Sequence, residues 1–313
     1  MSSLRIAHVS DLHLSPVHKR SNIRRTKLLL DHVRHLEVDH MVITGDIVAN
    51  AESGDFRLAR KLFHAHGLLN SRSLSVVIGN HDVYGGVHTA EEILDFPRRC
   101  KKTNVGQKID EFHEAFRETF EGAEYASDKS PFPYLKPLGD VLLIGLSSVA
   151  PYSLAKNPVG SNGSVDSHQC QRLDRMLSSG LFKQSRRIVL IHHHFSKMKH
   201  RTDGTMQGAW KAFEQQTMKL RGKRDLMKLF QKHGVDAVLH GHYHENMEYT
   251  RKGLRFVNGG GSILSQSSSA LHLNVLHIDR TEIRVHHHEF PVETPQSNGQ
   301  TPQGEFSTSH AAA

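Results

Sequence analysis

The sequence predicts an α/β fold, because short apolar runs alternate along the chain with longer stretches of helical period. Runs of four to six apolar, often β-branched residues bounded by Gly, Asp or Asn are typical of buried strands. Helical stretches between such runs predict a largely parallel sheet, since parallel strands need a crossover connection. The predicted strands span residues 4–9, 41–44, 74–78, 141–146, 188–191 and 235–239.

Three helices are predicted between these strands. Residues 22–36 and 52–66 have the apolar spacing of amphipathic helices and join the first three strands. Residues 166–177 form the third helix, with Asp166 or Ser167 as its N-cap, because a side-chain oxygen at that position accepts a hydrogen bond from the first helical turn.

The last part of the chain predicts two hairpins and a tail. Turn residues at 251–253 and 279–281 each separate two strand-like runs. From residue 291 the chain becomes polar and rich in Gly, Pro, Gln and Ser, which predicts a disordered tail over 291–313. We therefore expect a single folded domain over residues 1–290.

Two segments interrupt the alternation of strands and helices. Residues 83–133 form a long connection with an amphipathic helical pattern that includes Phe112 and Phe116, and residues 195–222 contain the only tryptophan, Trp210. Both insertions are candidates for a cap over a substrate. For Phe112 and Phe116 the sequence favours ordinary packing of a helix against the sheet.

Composition limits the compartment and the partners. The chain of 313 residues has a formal net charge of +8, which suits acidic partners such as nucleotides, nucleic acid or an anionic membrane surface. Two distant cysteines offer no disulfide framework, and no apolar run is long enough for a spanning helix or a signal peptide. We expect a cytoplasmic protein, and the sequence leaves its oligomeric state open.

Five short pieces rich in metal-ligand side chains each follow a predicted strand. The carboxyl ends of parallel strands meet at one edge of a sheet, so these side chains are expected to converge there. Two carboxylates, an amide oxygen and several imidazoles, without a thiolate, suit two divalent ions such as Mn, Fe or Zn. The pieces are Asp11-Leu12-His13, Gly45-Asp46, Gly79-Asn80-His81-Asp82, His192-His193-His194 and Gly241-His242-Tyr243-His244.

The five pieces, in this order, resemble the signature of the calcineurin-like metallophosphoesterases. The resemblance spans Asp11 to His244 and implies two packed mixed β-sheets flanked by helices. It also implies that Asp46 bridges two divalent metal ions. One ion would be held by Asp11, His13 and His244, and the other by Asn80, His192 and His242. His193 is the alternative to His192.

The resemblance further implies a reaction. A metal-bound hydroxide would attack the phosphorus atom of a phosphoester, and Asn80 and His81 would contact the substrate. His81 would act as the catalytic residue, either by stabilising the transition state or by protonating the leaving group, since the pKa of an unperturbed histidine, about 6.5, permits either role.

One departure from the signature narrows the choice of subfamily that the chain resembles. Protein phosphatases of this superfamily continue the second piece with an Asp-Arg pair, whereas this chain continues with Ile47, Val48, Ala49 and Asn50. The pattern is more similar to bacterial class III cyclic-nucleotide phosphodiesterases. The expected substrate is therefore a small phosphodiester or nucleotide, with a 3′,5′-cyclic nucleotide as the leading candidate.

Three alternatives stay open at this point. They are a pyrophosphatase acting on a UDP-linked diacylated glucosamine, a DNA exonuclease, and a binding scaffold without activity. Nucleic acid is not the favoured partner, and the basic charge is also compatible with peripheral contact with a membrane.

Most of the 26 histidines are expected to have no function. His240 precedes the last piece and is expected to be a core residue with satisfied hydrogen bonds. Asp82 either orients His81 or stabilises the turn after the strand. Surface or helix positions are expected for His8, His18, His32, His35, His64, His66 and His88.

Overall fold

Two mixed β-sheets packed against each other form the centre of the molecule. The structure is a computed structural model that describes residues 3–126, 130–180, 182, 184–196, 218–263 and 270–292. Most of the predicted insertion at 195–222 and of the predicted tail lies outside the described residues.

The first sheet has five strands in the order β14-β13-β1-β2-β3. β1, β2 and β3 run parallel, while β13 is antiparallel to β1 and β14 is antiparallel to β13. The strands are β1 (Leu4–Val9), β2 (His40–Ile43), β3 (Leu74–Val76), β13 (Ala270–Ile278) and β14 (Ile283–Pro291).

The second sheet has seven strands in the order β11-β12-β10-β8-β6-β5-β4. β6, β8, β10 and β12 run parallel, and antiparallel strands lie on both sides of them. The strands are β4 (Glu124–Tyr125), β5 (Tyr134–Leu138), β6 (Val141–Gly145), β8 (Arg186–Leu190), β10 (Ala237–His240), β11 (Asn246–Arg251) and β12 (Leu254–Gly259). A short parallel pair, β7 (Gly163–Ser164) and β9 (Leu220–Arg221), lies apart from both sheets.

The helices connect the strands as the periodicity predicts, and Asp166 rather than Ser167 is the N-cap of its helix, since its Oδ1 accepts a 2.9 Å hydrogen bond from the Gln169 N–H. The described helices are α1 (Arg20–His35), α2 (Ser53–Ala65), α3 (His81–Tyr84), α4 (Ala90–Lys102), α5 (Val105–Ala115), α6 (Ser167–Ser178) and α7 (Lys223–Lys232), with a 3₁₀ helix at Arg117–Phe120. Among the described helices, none is long and apolar enough to cross a membrane.

Alternating side chains divide each central strand between two apolar cores. In β8, Ile188 and Leu190 belong to the core shared by both sheets, whereas Val189 belongs to the core that includes Leu173 of α6 and Phe230 of α7. Successive side chains of a strand point to opposite faces, so the second sheet is covered on both faces. The predicted architecture of two packed mixed sheets with flanking helices is confirmed.

The insertion at 83–133 packs onto the body of the fold through its aromatic side chains. Phe112 and Phe116 are fully buried, and their ring centroids lie 6.4 and 6.1 Å from that of Phe56 on α2. These two residues are therefore core residues, as the sequence predicts. The helical pattern ends at Ala115 and continues as the 3₁₀ helix.

One histidine prediction is wrong. His8 was expected at the surface or in a helix, but it is fully buried in β1. Its polar ring can be buried there because buried polar partners lie beside it. The sequence around His8 does not show these partners. His240, by contrast, is the core residue that the sequence predicts, with its Nε2 2.9 Å from the Tyr249 hydroxyl.

Candidate metal centre

Five parallel strands end at the same edge of the two sheets, and the predicted ligands follow those ends. Asp11 follows β1, Asp46 follows β2, Asn80 follows β3, His192 follows β8 and His242 follows β10. The structure brings all of these residues together with His13 and His244 in two adjoining groups.

The first group comprises Asp11, His13 and His244, whose candidate ligand atoms all lie within 4.8 Å of one another. The Nε2 atoms of His13 and His244 are 3.4 Å apart, and the His244 Nε2 is 3.5 Å from the Asp11 Oδ1. Asp11 and His13 are buried, while the His244 side chain keeps 39% of its surface exposed. This group therefore opens to solvent on the His244 side.

The second group is buried throughout and includes Asn80. The His192 Nε2 lies 3.3 Å from the Asp46 Oδ2, 3.1 Å from the Asn80 Oδ1 and 3.1 Å from the His242 Nδ1. Its other ring nitrogen, Nδ1, is 2.8 Å from the carbonyl oxygen of Thr44 and donates to it.

Asp46 lies between the two groups. Its Oδ2 is 3.3 Å from the His192 Nε2 and 3.8 Å from the His13 Nε2. Its Oδ1 accepts a 2.8 Å hydrogen bond from the His81 N–H. One carboxylate thus contacts both groups and also anchors the segment that presents His81.

His81 borders the first group. Its ring meets the His13 ring edge-on, with centroids 4.5 Å apart, and its Nδ1 lies 3.3 Å from the Ala49 carbonyl oxygen. The side chain is only partly buried, so it lies between the buried donor atoms and solvent.

The candidate ligand atoms of the two groups fit a pair of metal cations. Because the His192 Nδ1–H donates to Thr44, the Nε2 of the neutral ring carries a lone pair. That nitrogen faces two acceptor oxygens and the His242 ring, so the surrounding atoms stabilise a positive charge there, whether a proton or a metal ion supplies it. The pKa of His192 shows the same preference for positive charge. Burial by itself lowers this pKa, but the carboxylates of Asp46 and Asp11 raise it to about 9.

The neighbouring histidines respond differently. Burial lowers the pKa of His13 and of His242 well below 6.5, and nearby histidines add to the effect at both residues. Neutral imidazoles are the form that binds a metal ion. The set of carboxylate, amide and imidazole donors fits divalent ions that accept mixed N/O ligands.

Several donors sit on strained backbone. A positive φ is uncommon for residues other than glycine and costs of the order of 1–3 kcal/mol, so it persists where surrounding contacts enforce it. The residues concerned are Asp11, His13, Asp46 and His242, with φ of 61°, 41°, 52° and 69°.

Glycines allow the loops to approach closely. A Cβ on Gly79 would lie 2.2 Å from the Asp46 Oδ1, and one on Gly241 would lie 1.9 Å from the Ser10 Oγ. Gly45 combines a φ of +92° with a Cβ position 2.6 Å from the His192 Nδ1. The glycines of the three pieces are thus required by packing around the donors.

Asp82 holds two of the loops together. Its Oδ1 accepts a 2.9 Å hydrogen bond from the Val48 N–H, and its Oδ2 accepts one of 2.8 Å from the Gly79 N–H. Burial, followed by the charge of Asp46, raises the pKa of Asp82 to about 8. Of the two roles considered for Asp82, the structure shows the one that stabilises the turn.

The ring of His193 has different neighbours from that of His192. Its Nδ1 is 2.8 Å from the Ser148 Oγ, and its ring packs against that of His242 with centroids 4.3 Å apart. His192 rather than His193 therefore faces Asp46 and Asn80.

Sequence reasoning gave no role to several residues in the surroundings of the predicted ligands. Thr44, which accepts from His192, and the buried His8 beneath it carry no motif. His88 hydrogen-bonds Asn50 and stacks on His18 with centroids 4.0 Å apart, and these contacts leave the prediction of no function for it untested. Only the three-dimensional contacts reveal these residues.

Two packed mixed sheets with carboxylates, an amide and imidazoles gathered at their strand ends define the class of dinuclear-metal phosphoesterases. The family model described as calcineurin-like phosphoesterase matches residues 4–246, and the chain belongs to this family. The protein is a metal-dependent phosphoric ester hydrolase, and its cofactor is the dinuclear divalent metal centre typical of the family.

Solved structures share the fold. A dimetal phosphatase from Danio rerio is similar, with a TM-score of 0.53, 15% identity, and coverage of 90% of this chain and 98% of that one. A purple acid phosphatase from seeds of yellow lupin (Lupinus luteus) has a TM-score of 0.54, 16% identity, and coverage of 91% and 51%. No curated protein matches the chain.

Proposed function

We propose that the protein hydrolyses a phosphodiester at this centre. In the proposed arrangement, Asp46 contacts both ions, while the other donors divide as their distances suggest. Asp11, His13 and His244 would hold one ion, and Asn80, His192 and His242 would hold the other.

The position of Asp46 carries the proposal. Its single Oδ2 atom lies within 4 Å of a histidine nitrogen from each group. A carboxylate in this place could contact two cations at once. Two divalent cations at such a centre supply Lewis acidity, which activates water and stabilises charge on the phosphoryl oxygens.

His81 is proposed as the catalytic residue. Its backbone is fixed by the bond from its N–H to Asp46, whereas its ring is partly exposed beside His13. A ring in this position can donate a proton to the leaving oxygen or stabilise charge on the phosphoryl group. Asn80 is proposed to contact the same phosphoryl group.

The segment after Asp46 favours a diester over a phosphoprotein. Ile47 and Val48 are fully buried, and Asn50 bonds Ser15 and Asp55 instead of supplying a cation. A phosphodiester carries one negative charge and needs less compensation than a dianionic monoester. A 3′,5′-cyclic nucleotide is the leading substrate, and the net charge of +8 is compatible with it.

The test compares a chromogenic phosphodiester, a chromogenic monoester and 3′,5′-cyclic AMP with the Mn-reconstituted protein. We expect diester turnover and cyclic AMP cleavage, loss of turnover in Asn80→Ala, and a fall in kcat of about 10²- to 10⁴-fold in His81→Ala. Metal content should be unchanged in His81→Ala. His35→Ala, on the surface of α1, is the matched control and should retain full activity.

Three other outcomes would contradict the proposed function and favour a different one. A preference for the monoester would contradict diester specificity. Absence of turnover with two bound ions would favour a larger substrate, such as a nucleotide-linked lipid, or a binding scaffold. Strong, salt-dependent binding to long DNA with strand cleavage would favour a nuclease.

A further inference from the structure

A strip of buried polar side chains runs from the first sheet to β12 of the second sheet, beneath the metal centre. It contains His8 on β1, Thr44 after β2, Asn258 at the end of β12 and Asn274 on β13, all fully buried. Polar groups in such a place are costly unless every one of them is hydrogen-bonded, so the contacts within the strip need an explanation.

The direction of each hydrogen bond follows from the chemistry of the partners. The Asn274 Nδ2 donates to the Asn258 carbonyl oxygen at 3.1 Å and lies 3.5 Å from the His8 Nδ1. Because an amide nitrogen can only donate, the His8 Nδ1 accepts. The proton of the neutral His8 ring is then on Nε2, which donates to the Thr44 Oγ1 at 3.0 Å.

Thr44 connects this strip to the centre. Its carbonyl oxygen accepts from the His192 Nδ1 at 2.8 Å and from the Ser10 Oγ at 3.1 Å. Its own N–H donates to the Val9 carbonyl oxygen at 3.1 Å. Both the side chain and the backbone of Thr44 are thereby held, directly before Gly45 and Asp46.

We propose that Thr44 and His8 are positioning residues for the metal centre. Thr44 fixes the tautomer and ring orientation of His192 through its carbonyl oxygen, and His8 fixes Thr44 through the hydroxyl. The inference rests on the proposed role of His192 as a ligand. Partners of this kind behind a ligating histidine change metal affinity by about 10- to 100-fold when they are altered.

The neighbouring strand provides an internal comparison. His40 on β2 is also buried, and its Nε2 lies 2.9 Å from the Ser75 Oγ on β3. The other ring nitrogen of His40 bonds the Arg72 carbonyl oxygen. This pair likewise joins a buried histidine to a hydroxyl, although here the Ser75 hydroxyl donates to the His40 Nε2, and none of its hydrogen bonds leads to a proposed ligand.

The experiment uses Thr44→Val and Ser75→Ala as a matched pair. Each substitution removes one hydroxyl beside a buried histidine, and Val preserves the shape of Thr. Metal affinity is measured by calorimetric titration of the metal-free chain with Mn²⁺, and the site is examined through the visible spectrum of the Co²⁺-loaded protein. Thermal unfolding of each variant reports its stability.

We expect Thr44→Val to weaken binding at one of the two ion sites by at least tenfold and to alter the Co²⁺ spectrum. Ser75→Ala should be destabilised to a similar extent yet bind both ions as the parent protein does. Thr44→Ser, which keeps the hydroxyl, should restore affinity and spectrum. His8→Asn, which cannot reach both partners of the ring, should reproduce the effect of Thr44→Val.

Two results would overturn the inference. Parental affinity and spectrum in Thr44→Val would show that the strip is ordinary core packing, as would equal losses of affinity in Thr44→Val and Ser75→Ala. His192→Ala separates this failure from failure of the site itself. If His192→Ala binds two ions with parental affinity, the ligand assignment is wrong and the inference falls with it.

Discussion

Asp82 accepts a 2.9 Å hydrogen bond from the Val48 N–H, which joins the loop of the third motif piece to the loop that follows Asp46. Asp82 also accepts from the Gly79 N–H. Both carboxylate oxygens of Asp82 are needed as acceptors, because each of the two N–H groups is buried beside the candidate metal ligands.

Asp82→Asn is expected to destabilise the protein by about 1–3 kcal/mol, since an amide offers only one acceptor oxygen and leaves one N–H facing its NH₂ group. The free energy of unfolding, measured with urea on metal-free protein, tests this. Asp31→Asn on the exposed face of α1 serves as the control. An unchanged stability in Asp82→Asn would show that the two hydrogen bonds contribute little.

Gly79→Ala is expected to remove metal binding. Its Cβ would lie 2.2 Å from the Asp46 Oδ1 and 2.3 Å from the Asp46 backbone nitrogen, so the proposed bridging carboxylate must move. Gly106→Ala on α5 is the matched control, because its Cβ meets nothing nearer than 3.5 Å. The control should be as stable as the parent or more stable by about 0.5–1 kcal/mol, since Ala favours helix.

Metal content by atomic emission, together with circular dichroism, compares these two glycine variants. A folded Gly79→Ala protein that retains two ions would contradict the close approach of the two loops.

His192→Ala and His193→Ala are expected to differ in stoichiometry. His192 faces Asp46 and Asn80, whereas His193 bonds Ser148. His192→Ala should therefore lose one of the two ions, and His193→Ala should keep both while losing thermal stability. Ions per chain are counted after dialysis against buffered metal. The reverse result would make His193 the ligand.

Lys136 makes stability depend on pH far from the centre. Its Nζ donates to the carbonyl oxygens of Leu74 and Thr119, both at 2.8 Å, and the side chain is buried. Burial lowers the pKa of Lys136 to about 7. A neutral amine still has the two N–H groups that the two carbonyl oxygens require.

The folded protein becomes more stable as the pH rises, because the folded and unfolded chains bind different numbers of protons. Between about pH 7 and 10.5 the unfolded chain holds the proton that the folded chain has released, so stability rises with pH across this window. The rise is at most about 5 kcal/mol, since the pKa is lowered from 10.5 to about 7 and each pKa unit is worth about 1.4 kcal/mol. Lys136→Met should abolish this contribution, and the exposed Lys61→Met should not. Urea unfolding at several pH values measures the difference, and parallel pH profiles for the parent and Lys136→Met would refute it.

The strands and their polar ends were predictable because the signals are local. Residues 4–9 form β1 as predicted, and the other predicted strands agree with the structure to within about two residues. An apolar run followed by Asp, Asn or His can be read directly from the chain. Which of His192 and His193 lies near Asp46 and Asn80 required the structure, since adjacent residues differ only in the direction of their side chains.

The sequence by itself determined the class of fold, the family resemblance and the set of candidate ligands, because those depend on residue type and order along the chain. Tertiary structure alone decided that Asp46 lies between two groups, that His8 is buried, that the Thr44 carbonyl oxygen accepts from His192 and that Asp82 joins two loops. These features arise from contacts between strands and loops distant in sequence. Their energies depend on burial and on the direction of each donor and acceptor, and neither is encoded in a local pattern.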